Sequence, residues 1–158
     1  LDTAEPVGRL PLDMAELCRT TVAGRHGDRL PIDTRLQPGL TVEGNRGWLV
    51  RLLTNLLDNA QRHADRRIEL TLHTDLDAGL AVLEVTDDGP GIPDADRERI
   101  FERFTRLDNA RSRDLGGAGL GLAIARDIAH QHHGTLRVEP RPHGASIVAR
   151  LPLSPPGA

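Results

Sequence analysis

The sequence predicts an α/β (α+β) two-layer sandwich, in which a mixed, mostly antiparallel sheet of about five strands carries three main helices on one face. Two observations predict this class: apolar residues recur at helical spacing in three segments, and several short segments alternate apolar with polar residues. The 158 residues suit one domain with one core. Because aromatic residues make up only 2%, Leu, Val, Ile and Ala must build that core.

Composition excludes several functions. A net charge of −3 and the scarcity of aromatic residues argue against nucleic-acid binding. The sequence contains no apolar run long enough to span a bilayer and no signal peptide, so direct membrane insertion is not expected. All 20 basic residues are Arg, which excludes a P-loop lysine and Schiff-base chemistry. The first residue, Leu1, suggests a fragment of a longer protein.

The first third of the chain predicts an extended piece, a helix and two strands. The helix has Asp13 near its start and Gly24 at its end. Cys18, the single cysteine, lies on the apolar stripe of this helix with Leu17, which favours a core position over a nucleophile. The two short strands are predicted in RLPIDTRL and LTVEG.

A strong amphipathic helix is predicted in NRGWLVRLLTNLLDNAQRHA, where Asn45 can cap the first turn. Its apolar positions recur every three or four residues. They are Leu49, Leu52, Leu53, Leu56, Leu57 and Ala60.

The second half of the chain alternates strands and helices. Strands are predicted in RIELTLHT and LAVLEVTDDG, and a short amphipathic helix in DADRERIFERF. Residues 105–118 have no apolar period and predict a loop, and we expect disorder somewhere within 106–118 when no ligand is bound. A helix follows from about Gly119 to His133 and ends at Gly134. TLRVEP and GASIVARLP predict a closing hairpin.

The long helix presents a polar face opposite its leucines. Asn55 and Asn59 are four residues apart and share that face, and Arg62 and His63 continue it. A solvated face is the simpler interpretation of a single Asn. Two Asn on so apolar a helix favour a site, because amide oxygens can bind Mg²⁺ and a nearby Arg can bind phosphate.

Asp87 lies at the end of a strand whose inward face carries Leu83 and Val85. The period of two places its carboxylate on that same face, where it needs a hydrogen-bond donor. The exocyclic amine of adenine is such a donor, and guanine has a carbonyl in the matching position. The alternative is that DDGPG is only a turn, with Gly89 and Gly91 serving the backbone conformation.

A glycine-rich segment, DLGGAGLGLAIA, runs directly into an apolar helix. Backbone N–H groups at a helix N-terminus attract phosphate, and glycines let the backbone approach it closely. A flexible linker is the alternative. The preceding loop carries Arg106, Arg111 and Arg113, which could fold over a bound polyanion.

Five motifs stand in order along the chain: RLLTNLLDNAQRHA, VTDDGPGIP, IFERFTRLD, GGAGLGLAIARDIAHQHHG and HGASIVARLP. They resemble the asparagine, first glycine, phenylalanine, second glycine and terminal glycine boxes of sensor histidine kinases. The resemblance covers roughly residues 5–152. It implies the Bergerat-type ATP-binding fold shared with gyrase-type ATPases, and ATP and Mg²⁺ as cofactors.

The resemblance implies a role for each matching position. Asn59 would be the chief ligand of Mg²⁺ with Asn55 close by, Asp87 would bind the adenine amine, and Arg106 would approach the terminal phosphate. Phe101 and Phe104 would anchor the lid, the loop at about 106–118, and Ser146 would sit on the adenine side. Asn55 and Arg106 are thus the catalytic candidates. The full set of nucleotide-binding candidates is Asn55, Asn59, Arg62, His63, Asp87, Gly89, Gly91, Ile92, Gly117, Gly119, Leu120, Gly121, Leu122 and Ser146.

The chain departs from the commonest family pattern at three positions. Arg62 stands where Lys is usual, His63 where Tyr or His occurs, and Asp88 where Asn is usual. Arg62 keeps the charge with a different geometry. Asp88 adds a negative charge near the expected nucleotide, and the sequence leaves its role open.

Two absences bear on the reaction. Related ATPases and serine kinases carry a Glu resembling a general base where Asn55 stands, and Asn cannot accept a proton. This favours transfer to an imidazole, which is already nucleophilic. Secondly, none of the seven histidines lies in the context of the family's phosphoacceptor, which precedes this domain on a helical hairpin.

These observations predict the catalytic domain of a bacterial two-component sensor kinase. Residues 1–6 would end the linker from the missing hairpin, 7–152 would form the ATP-binding domain, and 153–158 a disordered tail. Its expected partners are the dimerisation and histidine phosphotransfer domain of the same kinase, and a response regulator. We expect an isolated monomer, a homodimeric parent, and a cytoplasmic domain of a membrane-anchored protein. The alternatives are a stand-alone ATPase or serine kinase of this fold, and a non-catalytic nucleotide-binding interaction module.

Overall fold

The computed structural model describes residues 8–102 and 121–155, which form one sheet covered by helices together with a small second sheet. Three α-helices lie in these residues: α1 (Met14–Ala23), α2 (Arg46–His63) and α3 (Gly121–Gln131). The strands are β1 (Leu10–Asp13), β2 (Ile32–Leu36), β3 (Thr41–Gly44), β4 (Ile68–Asp75), β5 (Leu80–Asp87), β6 (Thr135–Glu139) and β7 (Ala145–Pro152).

The main sheet has five strands in the order β2-β4-β5-β7-β6. β2 and β4 are parallel and every other neighbouring pair is antiparallel, which confirms the predicted mixed, mostly antiparallel sheet. Alternate residues of the central strands, among them Leu70 and Leu83, are buried and belong to the core beneath the helices. Because the strand period is two, the residues between them lie on the other face.

Side-chain caps fix the starts of the first two helices where the sequence predicts them. The Asp13 carboxylate accepts a hydrogen bond from the Glu16 N–H at 3.0 Å, and the Asn45 amide oxygen accepts one from the Trp48 N–H at 3.0 Å. The predicted leucine stripe of α2 is buried throughout. Cys18 is also buried, and burial raises the pKa of its thiol to about 12, so it is a core residue with no nucleophilic character.

The end of α3 uses two residues for two purposes. His133 adopts the left-handed conformation (φ 64°) that ends the helix, and the Gly134 N–H donates to the Ala129 carbonyl at 2.8 Å. Gly134 has no room for a side chain, because a Cβ would overlap the Arg150 carbonyl of β7. The glycine therefore permits close contact with the sheet, and the histidine makes the turn.

The segment after β5 differs from the prediction. DADRERIFERF was expected to form an amphipathic helix, but its described part forms two 3₁₀ turns, Asp94–Asp96 and Arg99–Phe101. Residues three apart eclipse one another in this conformation. The ion pairs match that spacing: Arg97 lies 2.6 Å from Asp94, and Arg99 lies 3.2 Å from Asp96.

A second, two-stranded sheet was not anticipated. β1 pairs antiparallel with β3, so that Asp13, which precedes α1, lies opposite Thr41 at the start of β3. At the other end of the chain, the Leu153 N–H donates to the Gly79 carbonyl and the Ser154 N–H to the Thr41 carbonyl. Within residues 8–102 and 121–155, no helix combines the length and apolar character needed to cross a membrane.

Candidate nucleotide-binding site

The polar face of α2 carries amide groups with unused hydrogen-bonding capacity. Asn59 is 8% exposed, and its amide makes no hydrogen bond within the described ranges. Asn55 donates from Nδ2 to the carbonyl of Gly121, the first residue of α3, at 2.9 Å. This bond fixes the orientation of the Asn55 amide, so its Oδ1 acceptor points away from Gly121. Two amide oxygens are therefore available to a cation or a ligand donor.

The C-terminal end of α2 is held by the segment before β2. Arg29 donates to the carbonyls of Gln61 and Ala64 at 2.7 and 2.6 Å, which satisfies acceptors at the end of the helix. This turn of the helix carries Arg62 and His63. Burial lowers the pKa of His63, and the charge of Arg62 lowers it further. At neutral pH the imidazole is uncharged and can act as a hydrogen-bond partner beside an anion.

Asp87 is the buried carboxylate of the site. It is 6% exposed, and its Oδ1 accepts a hydrogen bond from the Gly89 N–H at 2.8 Å. Burial raises the pKa of this carboxyl above its ordinary range, against the opposing effect of the Gly89 and Ala145 N–H groups. No side-chain donor in residues 8–102 or 121–155 reaches it. A ligand that donates to the free oxygen would satisfy a buried charge.

Glycines make the wall around Asp87. At Gly89 a Cβ would overlap the His63 carbonyl, so the turn after β5 packs directly on the end of α2. Gly91 has φ +86°, and a Cβ there would lie 2.9 Å from the Gly144 carbonyl oxygen. Gly144 has φ +77°, and a Cβ would overlap the Asp87 carbonyl. Sequence reasoning missed Gly144 as a site residue, although it stands in the HGAS segment.

Asp88 points away from Asp87 and has a structural role. Its Oδ1 accepts hydrogen bonds from the backbone N–H groups of Asp65, Arg66 and Arg67 at 2.9, 2.9 and 3.0 Å. The N–H groups of Arg66 and Arg67 hold the pKa of this carboxyl below its ordinary range. The charge that the sequence left unexplained therefore secures the turn after α2, which leads into β4.

Ser146 lies on the opposite face of the sheet from Asp87. It pairs with Thr86 in the register of β5 and β7, and its hydroxyl donates to Glu84 at 2.9 Å and lies 3.2 Å from the Thr86 hydroxyl. Ala145, paired with Asp87, occupies the inward position. The structure therefore does not bring Ser146 to the face that carries Asp87, the predicted adenine contact, because a shift of one residue along a strand reverses the face.

The remaining predicted residues fall into two groups. Ile92 and Leu122 are half-buried and pack on the core beside the site. Gly121 is the first residue of α3, and a Cβ added to it would lie 3.9 Å from the Cβ of Asn55. Phe101 is buried beneath the guanidinium of Arg126, which lies 4.3 Å from the ring centroid. The others lie outside the described residues, as does the loop expected to be disordered. They are Phe104, Arg106, Gly117, Gly119 and Leu120.

The oxygen donors of the site bear on whether it can hold Mg²⁺. In the described part of the chain, no group of three or more His, Cys, Asp or Glu residues could hold a metal ion. The amide oxygens of Asn55 and Asn59 can supply part of an octahedral oxygen shell, with phosphate and water supplying the rest. The residues therefore fit a magnesium ion that arrives with a phosphate ligand, and they do not fit a protein-only metal centre.

Comparisons with known proteins identify the family of this fold. The chain matches the family described as histidine kinase-, DNA gyrase B-, and HSP90-like ATPase over residues 44–155. It is 36% identical over 157 residues to the probable sensor histidine kinase TcrY of Mycobacterium tuberculosis, covering 97% of this chain and 33% of TcrY. The chain thus spans about a third of the length of the curated relatives it matches first.

Solved structures give the same result. The mycobacterial sensor histidine kinase MprB superposes with a TM-score of 0.77 at 34% identity, with coverage of 93% of this chain and 99% of that one. Full-length ShkA in complex with AMPPNP superposes with a TM-score of 0.82 at 27% identity, with coverage of 99% and 33%.

The fold and the described part of the site define an ATP-binding domain with an asparagine-bearing helix beside a buried aspartate. The chain belongs to the histidine kinase-, gyrase B- and HSP90-like ATPase family. Within that family it is an ATP-binding catalytic domain of the sensor histidine kinase type.

Proposed function

We propose that this domain binds Mg·ATP between α2, the end of β5 and the start of α3. It then presents the γ-phosphoryl group to a histidine on a dimerisation hairpin of the parent kinase. The phosphoryl group is relayed from there to an aspartate of a response regulator. The observation that carries the proposal is the buried Asp87 carboxylate, which lacks a side-chain donor in the described residues. Its strand, β5, packs against α2, the helix that carries the amide of Asn59, which is unbonded within the described part of the chain.

Adenine recognition rests on the two oxygens of Asp87. One oxygen accepts from the Gly89 N–H, and the other can accept from the exocyclic amine of adenine. The close backbone packing at Gly89 and Gly144 fixes the turn after β5 against the end of α2, and so fixes the position of this carboxylate. A guanine ring would place a carbonyl against the same carboxylate, which disfavours GTP.

The phosphate end rests on α2 and α3. Asn59 and Asn55 would hold a magnesium ion, which neutralises phosphate charge and orients the phosphoryl group. Arg62 carries a positive charge at the end of the same polar face. Arg106, Gly117, Gly119 and Leu120 are proposed to complete the phosphate side.

The transfer itself requires no base from this chain. An imidazole nitrogen of the acceptor attacks the γ-phosphorus, the bond to the β,γ-bridging oxygen breaks, ADP leaves with that electron pair, and the imidazole releases its proton to water. Asn55 cannot accept a proton, so it would contribute only by positioning. The related serine kinases and ATPases need a carboxylate there because hydroxyl and water must lose a proton as they attack.

The test mixes this domain and γ-labelled ATP with a separately produced dimerisation hairpin of the parent kinase. Acid-labile, base-stable label on the hairpin is the expected result. The Ser146→Ala variant is the matched control, because that hydroxyl lies on the opposite face of the sheet and the variant should label the hairpin normally.

Two results would overturn the proposal. Steady hydrolysis of ATP by the isolated domain, with no label on the hairpin, would favour a stand-alone ATPase. Failure to bind ATP at millimolar concentration with magnesium present would favour a non-catalytic interaction module.

A further inference from the structure

His132 is a fully enclosed histidine that the proposed reaction does not use. It is 1% exposed and lies just past the end of α3. Its Nδ1 lies 2.9 Å from the carbonyl oxygen of Ile128, and its Nε2 accepts a hydrogen bond from the Asn45 N–H at 3.1 Å. The ring therefore joins the end of α3 to the residue that caps the start of α2.

These two contacts fix the protonation state of the ring. A backbone N–H can only donate, so Nε2 must carry a lone pair. A backbone carbonyl can only accept, so Nδ1 must carry the hydrogen. His132 is therefore the neutral Nδ1–H tautomer, and a proton on Nε2 would oppose the Asn45 N–H directly.

The backbone of β3 is shaped to admit this ring. A Cβ on Gly44 would lie 2.5 Å from Cδ2 and 2.8 Å from Nε2 of His132. Gly44 does not adopt the left-handed conformation that favours glycine, since its φ is not positive. Its missing side chain instead makes space for the imidazole between β3 and α3.

Two polar contacts thus join α2 and α3 at opposite ends of α3. The Asn55 amide donates to Gly121 at the beginning of α3, and His132 accepts from Asn45 just beyond its end. Small buried residues of α3, Ala125 and Ala129, belong to the core between them. Because a helix is stiff, fixing both ends sets how α3 lies along α2.

Charged groups of the elements packed on His132 are already engaged or face solvent. On β3, Glu43 lies 4.0 Å from Arg9. At the start of α2, Arg46 lies 2.8 Å from Glu16. On α3 and the turn after it, His130 and His133 are exposed.

We propose that His132 is a positioning residue for nucleotide binding: its neutral ring holds α3 at the distance from α2 that the asparagine face and the start of α3 need to bind one nucleotide. This inference rests on the proposed function, since it assumes that both helices contact Mg·ATP. Protonation of the ring releases this contact and weakens nucleotide binding without changing any group that touches the nucleotide.

The experiment measures the Kd for Mg·ATP by calorimetry in the wild type, His132→Gln and His132→Leu, at about pH 7.5 and about pH 5.5. Gln can offer an acceptor to Asn45 and a donor to Ile128, but it does not titrate. Leu offers neither. At the higher pH we expect roughly tenfold weaker binding in His132→Leu and less than about threefold in His132→Gln.

The pH comparison separates positioning from a purely structural role. Acidification should raise the wild-type Kd by roughly fivefold more than that of His132→Gln, because only the wild type loses the acceptor. Effects common to both proteins, such as those of Asp87 and His63, cancel in this difference. Equal pH profiles in the two proteins would overturn the inference.

Each further outcome has a stated meaning. If the wild type fails to bind Mg·ATP, the proposed function falls and the inference falls with it. If the wild type binds and His132→Leu binds equally well, only the inference falls. If His132→Leu does not fold, Gly44→Ala decides, since it displaces the ring from the other side. Weakened binding in folded Gly44→Ala supports the inference, and wild-type binding overturns it.

Discussion

The two sides of the turn after β5 carry adjacent carboxylates with opposite surroundings. On the inner side, Asp87 is buried, accepts a hydrogen bond from the Gly89 N–H at 2.8 Å, and has a raised pKa. On the outer side, Asp88 is more exposed, accepts three backbone N–H groups, and has a lowered pKa. A charge that the protein satisfies holds the fold together, whereas a buried charge that it leaves partly unsatisfied is available to a ligand.

The largest effect on stability and ATP binding is expected from a substitution that disturbs both Asp87 and Asp88. In Gly144→Ala the new Cβ would overlap the Asp87 carbonyl and lie 2.9 Å from Cα of Asp88, at φ +77°. We expect roughly 3 kcal/mol of destabilisation together with loss of ATP binding, because neither aspartate can keep its position. Urea unfolding and ATP titration measure the two effects.

Gly39→Ala is the matched control for Gly144→Ala. Gly39 has a similar φ of +84°, but nothing lies within 4 Å of an added Cβ. In Gly39→Ala the free energy of unfolding should fall only by the cost of the left-handed conformation, about 1–2 kcal/mol, and ATP binding should be normal. Equal destabilisation of the two variants would show that the contact with Asp87 and Asp88 has no energetic weight.

The next largest effect should be a loss of ATP affinity from a substitution that changes only Asp87, on the inner side of the turn. In Asp87→Asn the single amide oxygen remains with the Gly89 N–H, so the amide nitrogen faces the adenine amine, and two donors meet. ATP affinity should fall by roughly 10- to 100-fold while the free energy of unfolding changes little. Calorimetric titration with Mg·ATP and chemical unfolding give both values. ATP binding at the wild-type affinity would refute the adenine assignment.

A smaller effect should be confined to the outer side. Asp88→Ala removes the acceptor of the Asp65, Arg66 and Arg67 N–H groups and should lower the free energy of unfolding, by less than Gly144→Ala does. Asp88→Asn retains one acceptor oxygen and should lose less than Asp88→Ala. ATP affinity should change far less than in Asp87→Asn. If Asp88→Ala lost ATP binding as fully as Asp87→Asn, the division between the two sides would be wrong.

The smallest effect is a separation between two pH profiles. The pKa of Asp88 is lowered by folding, so its contribution to stability is present above its unfolded pKa and is lost only as the pH falls through the lower folded value. The pKa of Asp87 is raised, so the folded state gains relative stability as the pH falls through that raised value. On acidification, the ATP affinity should therefore begin to fall at a higher pH than the pH at which the stabilising contribution of Asp88 is lost.

Asp88→Asn sharpens this separation. The charge of Asp88 contributes to raising the pKa of Asp87, so its removal should move the acid limb of ATP affinity to lower pH. Titrations of Kd against pH in the wild type and the variant provide the measurement. An unmoved acid limb would mean that the two carboxylates do not interact.

The features of individual helices and strands could be predicted from the sequence. The caps at Asp13 and Asn45, the leucine stripe of α2 and the alternation along β4 and β5 all follow from local spacing, and the structure confirms them. The inward position of Asp87 follows from the same period of two. The predicted helix at 94–101 was wrong, because charges three and four residues apart suit both an α-helix and successive 3₁₀ turns.

The sequence by itself determined the class of fold and predicted the two principal groups of the proposed site, Asn59 and Asp87, because helix and strand periods and motif order are local properties of the chain. Only the tertiary structure decided which partner each polar group meets. It separated Asp87 from Asp88, placed Ser146 on the far face, and joined His132 to Asn45, residues 87 positions apart. Such contacts depend on how distant segments pack, and no local period encodes them.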